Sequence, residues 1–266
     1  MPDPNTKEDE LAGTEQPFVE HLMELRDRLI KAVVAIGVVA AVLAVWPGPG
    51  ALYDLLAAPL VAALPAGATL IATSVISPFL VPLKILLMAA FMIALPVVLY
   101  QVWAFVAPGL YSHEKKLVMP LVISSTLLFL IGVAFCYYFV FGQVFKFIQS
   151  FAPKSITAAP DIEAYLGFAL SMFLAFGLAF EVPIAVVVLA RVGIVTVDKL
   201  KSFRGYFIVV AFVVAAIVTP PDVVSQLALA IPMCILYEVG IWAAQLFIKH
   251  TKAPEEAQAE TSGNGS

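Results

Sequence analysis

Apolar residues along this chain gather into six long blocks separated by short polar clusters. They run from about Leu29 to Trp46, Ile85 to Phe105, Leu117 to Phe141, Tyr165 to Ala190, Gly205 to Thr219 and Val223 to Ile248. Blocks of this kind read as membrane-spanning helices, because about 20 residues of helix cross a hydrocarbon core of about 30 Å. The predicted fold is therefore all-α, a polytopic membrane protein with six transmembrane helices. The last two spans are predicted short. The fifth holds fifteen residues before the Pro220-Pro221 pair, about 22 Å of helix. The sixth is interrupted by Pro232 and meets Glu238 after a similar distance. An even number of spans puts both ends on one side of the membrane. Twelve of the fifteen basic side chains fall on that side, namely Lys7, Arg26, Arg28, Lys31, Lys115, Lys116, Arg191, Lys199, Lys201, Arg204, Lys249 and Lys252. Only Lys84, Lys146 and Lys154 fall on the other, so the positive-inside rule places the N and C termini in the cytoplasm.

The chain then divides into a polar cytoplasmic N-terminal tail (1–17), the six-span membrane domain (18–250) and a C-terminal tail (251–266). The last is rich in Ala, Glu, Gly and Ser and is predicted disordered. Between the first two spans, Pro47 to Leu80 is a long apolar connection rich in Pro and Gly, with a short helix predicted near Leu52 to Ala63. A lid over helix ends and a surface for a partner both fit it. With 62% hydrophobic and 13% charged residues, an ordinary globular domain is excluded. The net charge of -4 reflects acidic tails with Glu8, Glu10, Glu255, Glu256 and Glu260, and nothing points to nucleic acid. Cys136 and Cys234 lie inside apolar blocks and read as small buried hydrophobes. The first seventeen residues lack the basic start and short apolar run of a cleavable signal peptide.

Against this background a few polar residues stand out. Glu181 is the one charged side chain between Tyr165 and Ala190. A carboxylate there costs about 2.5–3.5 kcal/mol on insertion scales, so it is expected to face protein or a wet cavity. Pro183 removes the helix hydrogen bond to the Ala179 carbonyl and is predicted to kink the same turn. Just before the first span, Phe18, Leu22, Leu25 and Leu29 recur at helical spacing, leaving Glu20, Glu24, Asp27, Arg28 and Lys31 off the apolar stripe. Glu24 there reads either as half of an i,i+4 pair with Arg28 or as a binding residue. Glu114, between the second and third spans, is a second carboxylate on the same side. Two such groups suit a dicationic ligand, each accepting paired hydrogen bonds from one guanidinium. On the opposite side Asp222 follows Pro220-Pro221 and is placed to cap the sixth helix. Gln226, one turn deeper, is expected to approach Glu181 if the fourth and sixth helices are neighbours. No phosphate-binding Gly-x-x-x-x-Gly-Lys-Ser/Thr loop, metal-ligand set or Ser-His pair is readable, so no cofactor or metal is expected and the chain does not read as an enzyme.

These motifs also occur together in one order. His21-Leu22-Met23-Glu24-Leu25-Arg26-Asp27-Arg28-Leu29, Ser77-Pro78-Phe79, and Tyr100 through Tyr111 with His113-Glu114 lie in the first half. Ala175-Phe176-Gly177 with Phe180-Glu181-Val182-Pro183 and Thr219 through Gln226 follow. From Phe18 to Phe247 the chain resembles the TatC subunit of the twin-arginine protein translocase. The resemblance implies a membrane receptor that binds twin-arginine signal peptides of folded cargo proteins and exports them using the proton-motive force. It implies that Glu24 and Glu114 receive the arginine pair, with Arg26, Arg28 and Phe105 near them. Glu181 matches the intramembrane glutamate that meets single-span TatA and TatB type partners, with Gln226 in its neighbourhood. Pro59 and Asp222 match outer-face positions. Self-association in a TatB-TatC receptor complex and a location in the inner, or plasma, membrane are implied likewise. Judged from the residues alone, a proton-coupled small-molecule transporter is the main rival and an intramembrane hydrolase a distant third.

Overall fold

The computed structural model describes residues 5–63, 70–106, 118–151, 161–191, 193–219 and 222–263. Its helices are α1 (Asn5–Val45), α2 (Pro49–Ala63), α3 (Ser77–Val106) and α4 (Val118–Phe135). A five-residue π turn (Cys136–Val140) leads into α5 (Phe141–Phe151), followed by α6 (Ile162–Phe180), α7 (Val182–Arg191), α8 (Val197–Ser202), α9 (Arg204–Val218) and α10 (Val223–Gly263). Five helical stretches among the described residues are long and apolar enough to cross a bilayer: Val19–Val45, Ser77–Val106, Val118–Val144, Ile162–Arg191 and Val223–Leu246. The remaining predicted block, the fifth, is α9, fifteen residues long, as short as its sequence requires.

Three features differ from the sequence reading. The helix of the last span carries straight through Pro232 and reaches 24 residues, so what is short there is the apolar stretch before Glu238, not the helix. Membrane helices tolerate an internal proline where neighbouring groups and local adjustments satisfy the freed carbonyl. At the N-terminal end, α1 starts at Asn5, inside the segment that the sequence sets apart as a polar tail. At the C-terminal end, α10 continues to Gly263 through the segment whose composition predicts disorder. Ala and Glu, which dominate that segment, are strong helix formers.

The chain forms two compact units. The first comprises residues 1–52 and 84–123. There Ala40 and Leu43 of α1 pack against Leu86 and Ala90 of α3, with Ile36, Val39, Leu52 and Ala89 around them. Alanines at the contact let two helix backbones come close, which is how membrane helices gain packing energy without a hydrophobic driving force.

The second unit comprises residues 53–83 and 124–266. Phe129, Phe141, Phe173 and Phe176 are its largest fully buried side chains, and Phe141 meets Phe173 with ring centroids 5.1 Å apart. Where α4 crosses α6 the contact needs glycine. A Cβ on Gly132 would strike the Phe176 carbonyl oxygen and the Phe180 ring, and one on Gly177 would strike the Phe129 ring. A second seam joins α7 to α10 through Val186, Ala190, Tyr237, Ile241 and Ala244, with Leu200 of α8 closing one end. The Tyr237 hydroxyl donates to the Leu200 carbonyl at 2.9 Å.

Candidate functional site

Two acidic positions stand out, one in each unit. In the first unit Glu24 sits on α1 at the N-terminal end of the first span. Its Oε1 accepts from both Nε and Nη2 of Arg28, at 2.9 and 2.5 Å, the i,i+4 pair that helix geometry favours. Its Oε2 stands 3.8 Å from Nδ1 of His21. Arg28 is largely covered while Glu24 keeps about a third of its side-chain surface open. The His21 ring lies flat on Phe105, the penultimate residue of α3, with centroids 4.3 Å apart and planes 15° from parallel. Arg26 turns instead to its neighbour Asp27, at 2.8 Å. The structure thus gathers Glu24, Arg28, His21 and Phe105 into one cluster and leaves Arg26 at its exposed edge. Glu114 lies outside the described residues.

In the second unit the fourth span breaks where the sequence predicts. α6 ends at Phe180, α7 begins at Val182, and Glu181 is the joint. Its N–H bonds the Leu178 carbonyl at 3.1 Å, and its own carbonyl accepts from Ala185. The physical cause is Pro183, which has no N–H to return to Ala179. Both Glu181 carboxyl oxygens are buried, and among the described residues neither has a hydrogen-bond partner in proper geometry. Ser125, fully buried, is a hydrogen-bonding neighbour of the group. Gly240 of α10 closes over this joint. A Cβ there would come within 2.9 Å of Pro183 Cα and 3.0 Å of Val186 Cβ.

That crossing point corrects the expectation for Gln226. With Gly240 level with Pro183, Gln226 lies fourteen residues earlier on α10, about 21 Å along the helix axis. Its Nε2 donates to the Phe212 carbonyl of α9 at 3.2 Å. The fourth and sixth spans are neighbours, but in a register that keeps Gln226 away from Glu181.

At the other end of the second unit, Asp222 caps α10 as its sequence position suggests. Oδ1 accepts from the Ser225 N–H at 2.7 Å, and Ser225 Oγ donates back to Oδ2. Pro59 lies within α2, in the connection between the first two spans. A tie the sequence reading missed is made by Asp161, the N-cap of α6. It accepts from the Glu163 and Ala164 N–H groups at 2.9 Å. It also accepts from Thr73 Oγ1 at 2.6 Å and Thr73 N–H at 3.1 Å. The Ile162 N–H to Ile71 carbonyl bond (2.9 Å) and Ser77 Oγ to Glu163 Oε2 bond (2.6 Å) reinforce it. The Thr73 hydroxyl, followed by the Ala164 and Thr73 N–H groups, holds the Asp161 carboxyl down at about 2. The available signal was an Asp immediately before an apolar run, the usual mark of a helix start. Among the described residues no group of three His, Cys, Asp or Glu side chains is placed to hold a metal ion.

Similarity to known proteins bears on the same elements. The family model for the Sec-independent protein translocase protein (TatC) matches residues 20–232. The Sec-independent protein translocase protein TatC of Halothiobacillus neapolitanus is 51% identical over 247 residues, covering 92% of this chain and 67% of that one. That of Escherichia coli is 46% identical over 241 residues, covering 91% and 93%. A crystal structure of a twin-arginine translocase receptor, TatC, superposes with a TM-score of 0.73 at 40% identity, covering 85% of this chain and 98% of that one.

Proposed function

The chain belongs to the TatC family, a multi-pass membrane subunit of a Sec-independent protein translocase rather than an enzyme, and from that premise we propose how its acidic sites work. The subunit is the signal-peptide receptor of the machine, set in the inner, or plasma, membrane with both termini in the cytoplasm. Glu24, together with Glu114, accepts the two guanidiniums of a twin-arginine signal peptide, and Phe105, Arg28 and Arg26 border that site. Glu181 docks a single-span partner of the TatA or TatB type, and receptor units self-associate with such partners. The proton-motive force drives export of the folded cargo. Pro59 and Asp222 maintain the opposite face, Asp222 through its cap on α10.

The observation that carries this reading is the state of the Glu24 carboxylate. One oxygen already holds a guanidinium, from Arg28, and the other faces only the His21 edge at 3.8 Å among the described residues. The group therefore has the orientation and exposure for guanidinium recognition, with an acceptor left for a second one. Glu181 supports the second half. A buried carboxyl with no well-formed hydrogen bond on either oxygen among the described residues favours a hydrogen-bonding helix over lipid, because unsatisfied polar groups in hydrocarbon are expensive.

The test is equilibrium binding of matched synthetic signal peptides, one with Arg-Arg and one with Lys-Lys, to the full-length protein in detergent. Glu24→Ala and Glu114→Ala should each weaken the Arg-Arg peptide about tenfold or more, the scale of a lost charge-assisted hydrogen bond. The Lys-Lys peptide should lose less, since lysine has no planar fork to match a carboxylate. Equal losses for both peptides, or none, would contradict the assignment.

A further inference from the structure

One side chain in the first unit touches two of the binding residues at once. His21 stacks on Phe105 of α3 and presents Nδ1 toward Glu24 Oε2 on its own helix. We propose that His21 is a positioning residue of the signal-peptide site, its ring fixing Phe105 beside Glu24 so that the apolar and acidic halves meet the peptide as one surface. The inference rests on the reading of Glu24 as the arginine acceptor and adds the residue that orders it.

The geometry supports this in three steps. His21 and Glu24 are three residues apart, so they share a face of α1. Phe105 lies in the last described turn of α3, on the neighbouring helix, and meets the His21 ring face to face. A flat ring at 4.3 Å and 15° then selects one plane for Phe105 out of several. With Arg28 on Oε1 and His21 facing Oε2, the carboxylate is also flanked on both sides. A guanidinium binds best where an aromatic face and a carboxylate are presented together. His21 is more than half exposed, so replacing it does not open a cavity.

The experiment measures binding of the synthetic Arg-Arg peptide to the full-length protein carrying His21→Ala, His21→Phe, Phe105→Ala, or His21→Ala with Phe105→Ala. Losing one aromatic contact should weaken binding about three- to tenfold in His21→Ala. His21→Phe keeps a ring on Phe105 and should stay within about twofold of the parent. The double variant should be no weaker than Phe105→Ala alone, because the histidine acts through the phenylalanine. Unchanged binding in His21→Ala, equal loss in His21→Phe and His21→Ala, or additive losses in the double variant would overturn the proposal. Glu24→Ala run alongside separates the two levels. If it leaves binding intact, the receptor reading falls and takes the positioning role with it; if it abolishes binding while His21→Ala does nothing, only the positioning role falls.

Discussion

Asp161 shows how one side chain can hold together segments far apart in sequence. Its carboxylate caps α6 and grips Thr73, 88 residues away, by charge-assisted hydrogen bonds that exist only while it is ionised. Its folded value of about 2 lies below the ordinary 3.8. A lowered carboxylate contributes stability that is fully present above the unfolded value and is lost as pH falls through the folded one. Asp161→Asn should therefore lower the melting temperature of the detergent-solubilised protein at pH 6, with the gap to the parent closing between about pH 4 and pH 2. A gap that persists undiminished to pH 2 would mean that the cap acts without its charge. Such a grip is hard to read in advance. The preference for Asp before an apolar run is local and visible, whereas its partner Thr73 is set by tertiary structure alone.

The break in the fourth span is legible for the opposite reason, because its cause lies within one turn. Pro183 deletes a backbone donor, and a carboxylate two residues earlier marks the turn as something other than lipid-facing helix. The Asp222 cap on α10 and the shortness of α9 are equally local, and the structure carries both as the chain suggests. The π turn at Cys136–Val140, which brings the Tyr137 hydroxyl to the Leu55 carbonyl at 3.0 Å, leaves no comparable mark in composition or spacing. Nor does the register of α10 on α7, which Gly240 fixes by allowing contact with the backbone at Pro183; that register separates Gln226 from Glu181. Gly240→Ala places a methyl against a backbone atom that has no rotamer to yield. It should cost about 1–3 kcal/mol, read as a lower unfolding midpoint. A neutral outcome would show that α10 shifts freely at this level.

For the whole molecule, the hydrophobic pattern was enough to yield an all-α membrane protein with six spans, the last two read as short; among the described residues the structure has five long apolar helices and only α9 short. The matched relatives then assign it to a translocase family. The account adds a division of labour between two carboxylates. Glu24 lies at the N-terminal end of a span among charged and aromatic neighbours. Glu181 lies at a proline break, its carboxyl oxygens buried and without a well-formed hydrogen bond among the described residues. The most direct measurement is site-specific photocrosslinking in membranes containing the chain, a twin-arginine precursor and a single-span TatA or TatB type partner, with Glu24→Ala and Glu181→Ala compared side by side. The account predicts that Glu181→Ala removes most crosslinks to the partner while those to the signal peptide persist, and that Glu24→Ala does the reverse. Equal loss of both crosslinks in either variant would contradict it.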